Sequence, residues 1–252
     1  DKKQAFTSLP LDQLTIVPVS EWIREEMQHS FFRNNQFHVI HNGINTNIFN
    51  IYNPEQVKQK YGLNGKHILL GMASIWSREK GFDDCIQMAD LLHPDEMLVL
   101  VGVRPEQQKK LKKNMLGIPR TENIHQLAEL YAAADAFINP TWQDNYPTVN
   151  LEAIACGTPV VTYRTGGSIE AITDQTGFIV PQGNVKENAG GSPPDQSTGK
   201  DLLSAALQNI CFGKLPERRP LSGLSGLIRQ ADRKESVSQY LNHGKQTEFG
   251  RD

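Results

Sequence analysis

Between residues 67 and 181, short apolar runs alternate with amphipathic stretches, and this alternation limits the fold of the 252-residue chain more than any other feature. The runs are ILLGMAS (68–74), MLVLVG (97–102), a short one at 116–118, DAFINP (135–140), PVV (159–161) and GFIVP (177–181). Each is too short for a globular helix and nearly continuous in hydrophobicity, as strands covered on both faces are. Between them lie FDDCIQMADLL (82–92), with Phe82, Ile86, Ala89 and Leu92 on one face, and HQLAELYAAA (125–134). PEQQKKLKKNM (105–115) is a third helical stretch, its Pro105 suited to a first turn. Strands and helices in strict turn predict an α/β domain built on a doubly wound parallel sheet, with ligands at the carboxyl ends of the strands. No fixed-period repeat accompanies the pattern.

Outside this region the signals are sparser. Residues 1–14 are polar and carry no pattern, and residues 15–19 are a short β-branched run. Ser20 then suits the N-cap of a helix in which Trp22, Ile23, Met27 and Phe31 share a face while Arg24, Glu25 and Glu26 point out. A second strand at 37–40 runs into Asn42-Gly43. That pair is a turn signal, but the residues beyond do not alternate, so an inter-domain crossing is expected in place of a hairpin. Residues 50–66 read as loop, helix and loop. Residues 183–200 are rich in Gly, Pro, Ser and Asn and read as mobile or as an insertion, followed by an amphipathic helix (201–210), a loop and a polar helix.

Composition excludes several classes. A net charge of −2 gives no basic field for nucleic acid. Three cysteines without a CxxC point to reduced thiols in the cytosol. Seven scattered histidines without HExxH spacing give no support for a metal. The apolar runs fall far short of a membrane span. The chain opens at Asp1 in mid-pattern and is read as a piece of a longer protein.

The chemistry gathers in Asp144–Ile172, DNYPTVNLEAIACGTPVVTYRTGGSIEAI. Pro147 disfavours helical angles at Tyr146, which leaves Asp144 in a loop. Thr148 is the expected N-cap, and Gly157 ends the helix. Glu152 is expected about one turn in, where the helix dipole favours its ionised form. Thr165-Gly166-Gly167-Ser168 is a strand-to-helix turn of the kind whose bare N–H groups hold phosphate. A carboxylate accepts two hydrogen bonds from a vicinal diol, so Asp144 and Glu152 together suit a sugar ring and a ribose. A capping aspartate and an exposed helical glutamate are the plain alternative. Lys80, in Ser77-Arg78-Glu79-Lys80-Gly81, can with Arg78 neutralise a diphosphate and stabilise charge on a leaving phosphate, against the alternative of a solvated lysine. Trp76 beside it either shields the site or packs on the sheet. Arg120 and Thr121, past another strand end, are candidates to line the same cleft. Lys109, Lys110, Lys112 and Lys113 read as a solvated helix face in preference to a phosphate or membrane patch.

Taken in order, these pieces resemble the C-terminal domain of the retaining GT-B glycosyltransferases of family four, the glycosyltransferases group 1 family. The resemblance runs over residues 14–183. IVPVSEWIREEM and FHVIHNGINTNIF look like the closing piece of that family's N-terminal domain and its crossing. SREKGFDDCIQMADLL is similar to its phosphate segment. LAELYAAADAFINPT, DNYPTVNLEAIACGTPVVTY and TGGSIEAI follow in order, with Asp144 and Glu152 at the two positions of the E-x7-E signature. The resemblance implies a remnant of an N-terminal acceptor domain at 1–41 and a Rossmann-like nucleotide-sugar-binding domain at 42–183. A mobile insertion and C-terminal helices would fill 184–252.

By the same resemblance Asp144 would contact hydroxyls of the donor sugar, helped by the backbone from Asn145 through Tyr146 and Pro147 to Thr148. Glu152 would hold the ribose, and Lys80 would bind the diphosphate and stabilise its departure. Gly166, Gly167, Arg78, Arg120 and Thr121 complete the expected donor site. The donor would be a UDP- or GDP-linked sugar and the acceptor a saccharide or lipid-linked molecule of surface-polysaccharide synthesis, with no metal or other cofactor. Three positions depart from the family pattern: Asp144 stands for a glutamate, Ile75 for an arginine that often lies five residues before the lysine, and Asn45 for the aspartate of the crossing. The expected activity is hexosyl transfer by the full-length protein, this piece alone being inactive. A nucleotide-sugar-binding module without catalysis and a GT-B nucleotide-sugar epimerase or hydrolase are the rivals. The expected setting is cytoplasmic, with a peripheral contact with the inner membrane left open.

Overall fold

The computed structural model describes residues 2–183, and everything expected at 184–252 lies outside the described residues. After α1 (Lys2–Thr7) comes a small parallel pair, β1 (Thr15–Ile16) and β2 (Gln36–Phe37), joined through α2 (Glu21–Gln28). Both strands are shorter than their apolar runs. Pro18 has no N–H to give the ladder, yet its carbonyl accepts from Ile40 N–H at 3.0 Å, so the pairing goes on from one side. Ser20 caps α2 as expected, its hydroxyl accepting from Ile23 N–H at 3.1 Å. Phe31 lies beyond the helix end and is exposed, so it does not join the apolar face. Residues 38–45 then lead away without regular structure, and Asn42-Gly43 forms no hairpin turn.

The main domain follows the predicted alternation after α3 (Pro54–Lys60). Its elements are β3 (His67–Met72), α4 (Phe82–Met88), β4 (Glu96–Val101), α5 (Pro105–Gln108), β5 (Met115–Ile118), α6 (Ile124–Ala133), β6 (Ala136–Asn139), α7 (Thr148–Ala155), β7 (Val160–Tyr163) and β8 (Gly177–Val180). A 3₁₀ turn at Gly166–Ile169 precedes the last strand. Period two sorts the strand side chains into two layers. Ile68, Leu70, Val99, Val101, Phe137 and Val160 pack with α6 and α7. Leu69, Leu98, Leu100, Ile138 and Val161 pack on the other face with Phe82, Cys85 and Met88 of α4. Burying one such side chain is worth about 1.5–3 kcal/mol, which makes this two-sided core the main source of the fold's stability.

Three local expectations are corrected. The stretch from Pro105 is helical only to Gln108, because Leu111 is the lone apolar residue of 109–114; the chain turns there through Leu111 N–H to Gln108 carbonyl and Met115 N–H to Lys112 carbonyl bonds. The helix from Phe82 stops at Met88, leaving Leu91 exposed. Thr148 is the first helical residue of α7 and not its cap; Pro147 holds the N-cap position without a side-chain bond, and the Thr148 hydroxyl bonds to the Glu152 side chain instead.

The six strands are parallel, in the order β5-β4-β3-β6-β7-β8. From β3 the chain winds outward through β4 to β5, then returns to the other flank of β3 for β6 and winds out through β7 to β8. The direction therefore reverses between β3 and β6, and the loops that leave their carboxyl ends flank this switch point, where sheets of this kind place their ligand crevice.

Candidate functional site

Two loops border that crevice, 73–81 after β3 and 140–147 after β6, and they are tied to each other. Trp142 N–H donates to the Glu79 carbonyl at 2.7 Å, and the Thr141 hydroxyl reaches the same oxygen at 3.3 Å. Gly81, at φ 74°, lies so close to Pro140 that a Cβ would run into its carbonyl oxygen. Trp76 is fully buried and donates its indole N–H to the Val101 carbonyl at 2.8 Å, so it packs against the sheet.

This framework brings Lys80 and Asp144 together. Lys80 Nζ donates to Asp144 Oδ2 at 2.6 Å, with the two side chains 40 % and 20 % exposed. A cation and a carboxylate are thus open to solvent side by side at the switch point, one able to pair with a phosphate and the other to accept from hydroxyls. Arg78 is exposed in the same loop. Arg120 and Thr121 follow β5, two strands out from β3, or about 10 Å along the sheet edge. That places them on the same ligand edge of the sheet as the two loops.

The turn at Gly166 and Gly167 has a different first task from the one its composition suggests. Gly167 N–H donates to the Asp144 carbonyl at 3.0 Å, and a Cβ on Gly167 would overlap the Asn145 carbonyl oxygen. Gly166, at φ 46°, leaves no room for a Cβ against the Asp144 carbonyl oxygen either. The glycines let the aspartate loop rest directly on the turn.

Glu152 has its own surroundings. It is the fifth residue of α7, beyond the reach of the first-turn dipole expected to favour its charge. Burial raises its pKa above the ordinary carboxyl value, and bonds from the Tyr131 hydroxyl (3.0 Å) and Thr148 only partly offset this. Tyr131 comes from α6, and nothing in the local sequence pairs it with Glu152. Tyr146 is buried and stacks on His41 with ring centroids 4.5 Å apart; burial, with Glu170 nearby, pushes its phenol up to about 12. Glu170 was missed altogether by sequence reasoning. Its carboxylate accepts from the N–H groups of Glu21 and Trp22, each at 2.9 Å, and lies 3.3 Å from His41 Nε2. Trp142 and Asp84 were missed as well: the indole N–H donates to a buried carboxylate at 2.7 Å, which the Tyr163 hydroxyl also reaches at 3.1 Å. Among the described residues no group of three or more His, Cys, Asp and Glu is placed to hold a metal ion, and no helix is long and apolar enough to cross a membrane.

The family model described as "Glycosyl transferases group 1" matches residues 66–191, half of the chain, and spans every loop of this crevice. The chain belongs to that family. It is 26 % identical over 184 residues to alpha-maltose-1-phosphate synthase of Mycolicibacterium smegmatis, covering 66 % of this chain and 48 % of that protein. It is 28 % identical over 202 residues to spore coat protein SA of Bacillus subtilis, covering 73 % of this chain and 51 % of that one. The chain spans about half the length of the curated relatives it matches. Solved structures share the fold at lower identity. A glycosyltransferase from Rickettsia africae superposes with a TM-score of 0.72 at 17 % identity, over 97 % of this chain and 67 % of that one. Anabaena HepE in complex with UDP-glucose gives 0.68 at 16 % identity, over 91 % and 64 %. The six-stranded parallel domain thus has the Rossmann-like fold of these GT-B structures.

Proposed function

We propose that this chain carries the donor half of an enzyme that moves a hexosyl group, with retention, from a UDP- or GDP-linked sugar to a saccharide or lipid-linked acceptor. The observation that carries the reading is the Lys80–Asp144 pair, 2.6 Å apart at the switch point. Lys80, with Arg78 in the same loop, faces the diphosphate, Asp144 takes hydroxyls of the sugar, and Glu152 takes the ribose. Asn145, Tyr146, Pro147 and Thr148 supply the backbone around the sugar. Residues 42–183 form the donor domain and 1–41 close the domain that receives the acceptor. The bond from the anomeric carbon to the β-phosphate oxygen breaks as the acceptor oxygen bonds to that carbon, and the acceptor proton passes to the departing phosphate. Positive charge at Lys80 is worth most when the leaving oxygen is most negative. No metal or other cofactor enters the scheme.

Calorimetry with uridine, guanosine, their diphosphates and the corresponding glucose and mannose conjugates tests it. At least one diphosphate sugar is expected to bind. Lys80→Ala should weaken the diphosphate by roughly 10- to 100-fold, the worth of a charge-assisted hydrogen bond, and the bare nucleoside far less. No binding to any of them, or a Glu152→Ala variant that binds as well as wild type, would sink the donor-site reading.

A further inference from the structure

Asn150 sits in α7 between the two signature carboxylates and is fully buried, an expensive place for an amide unless every hydrogen bond is made. They are made in a closed ring. Asn139 Nδ2, at the end of β6, donates to Asn150 Oδ1 at 2.8 Å. Asn150 Nδ2 donates to the carbonyl and hydroxyl oxygens of Ser168 at 3.0 and 3.3 Å. The hydroxyls of Ser168 and Thr162 lie 2.7 Å apart, and the Thr162 hydroxyl reaches the Asn139 carbonyl at 3.0 Å. Since Thr162 spends its proton on a carbonyl, Ser168 must donate to Thr162, and its own oxygen is then free to accept from Asn150. Each hydroxyl gives once and accepts once. All four residues are buried, so the ring is held in a low dielectric where a missing member is costly.

Ser168 links the ring to the glycine turn beneath the aspartate loop. Ser168 follows Gly167, whose N–H holds the Asp144 carbonyl and whose Cα has no room for a Cβ beneath Asn145. We propose that Asn150 is a positioning residue: by gripping Ser168 it seats the Gly166-Gly167 turn under the Asp144–Asn145 backbone, and so aims the Asp144 carboxylate at Lys80 and the donor sugar. The sugar part rests on the donor-site reading; the seating of the loop does not.

The test compares wild type with Asn150→Leu, close in volume but without hydrogen bonds, and with Asn150→Ala should the leucine variant fail to fold. Amide exchange followed by NMR is the first readout. Protection at Gly167 should drop at least roughly 10-fold while Leu70 and Val99 in the sheet keep theirs. Unchanged protection at Gly167, or an equal loss at all three amides, overturns the proposal, the latter showing a merely structural part. The second readout is the ratio of affinities for UDP-glucose and UDP, or for GDP-mannose and GDP, whichever pair the wild type binds. That ratio should fall about fivefold while the diphosphate alone stays within about twofold. Equal losses for both ligands also overturn it. Wild type that binds neither pair refutes the donor-site reading instead, and the exchange result still decides the seating of the loop.

Discussion

Lys80 and Asp144 lie 64 positions apart in the chain and 2.6 Å apart in space, yet their pair adds little to stability. With the lysine 40 % exposed, solvent screening holds such a pair to about 1 kcal/mol or less. Under the proposed donor-site reading, a diphosphate arriving at Lys80 would meet the carboxylate as a competitor, while a sugar would meet it as an acceptor. Asp144→Asn should accordingly move two affinities in opposite directions, tightening UDP or GDP and weakening the extra binding contributed by the sugar. Calorimetry with each diphosphate and its sugar conjugate reads both, and parallel changes would contradict the assignment. Glu152 gives a second prediction at this scale. Its folded-state pKa lies above the unfolded one, so the native state holds the proton longer and stability falls as pH rises from the unfolded to the folded pKa. Glu152→Gln removes the buried charge and keeps an acceptor for Tyr131. Thermal melts should show the variant at least as stable as wild type at pH 7, with its relative advantage shrinking as the pH is lowered through that window.

Among the elements, α2 depends on a residue far outside itself. Its first two N–H groups are held by the Glu170 carboxylate from beyond the 3₁₀ turn, while Ser20 satisfies the third from within. Hydrogen bonds to a charged group are worth about 1.5–3 kcal/mol, so Glu170→Ala should lower the unfolding free energy by about that amount and speed exchange at Glu21 and Trp22 first. A denaturant titration with residue-resolved exchange checks both. Glu170 also shows the limit of reading elements from sequence. The strands and most helices were legible because each states its own period, and the Ser20 cap was legible because a cap lies within three residues of its partner. The sheet order, the Glu170 bond and the Tyr131–Glu152 bond join segments whose proximity no local pattern records. Asn150 lies between these cases. It stands three and four residues before Ala153 and Ile154, on the apolar stripe of its own helix, and an amide on that stripe announces buried partners without naming them.

For the molecule as a whole, the reversal between β3 and β6 is a seam as well as a crevice. β3 pairs with β4 from His67 to Met72, whereas it pairs with β6 through Leu69 and Ala136 and through Leu70 and Phe137. The two wings of the sheet thus meet along a short ladder, with the bridge between Glu79 and Trp142 set across its ligand end. A donor that touches Lys80 on one wing and Asp144 on the other adds a second bridge over the same seam. Bound at a free concentration 100 times its dissociation constant, it should stabilise the fold by about 2.7 kcal/mol, which for a domain of this size raises the melting temperature by about 5–10 °C. The location of the effect is the sharper test. Exchange should slow in the loops 73–81 and 140–147 and at Leu70 and Phe137. Residues 62–66 and 93–95, at the opposite edge of the sheet, should gain no more than the global change requires. Ligand protection centred on that opposite edge would place the donor elsewhere and remove the functional reading of the Lys80–Asp144 pair.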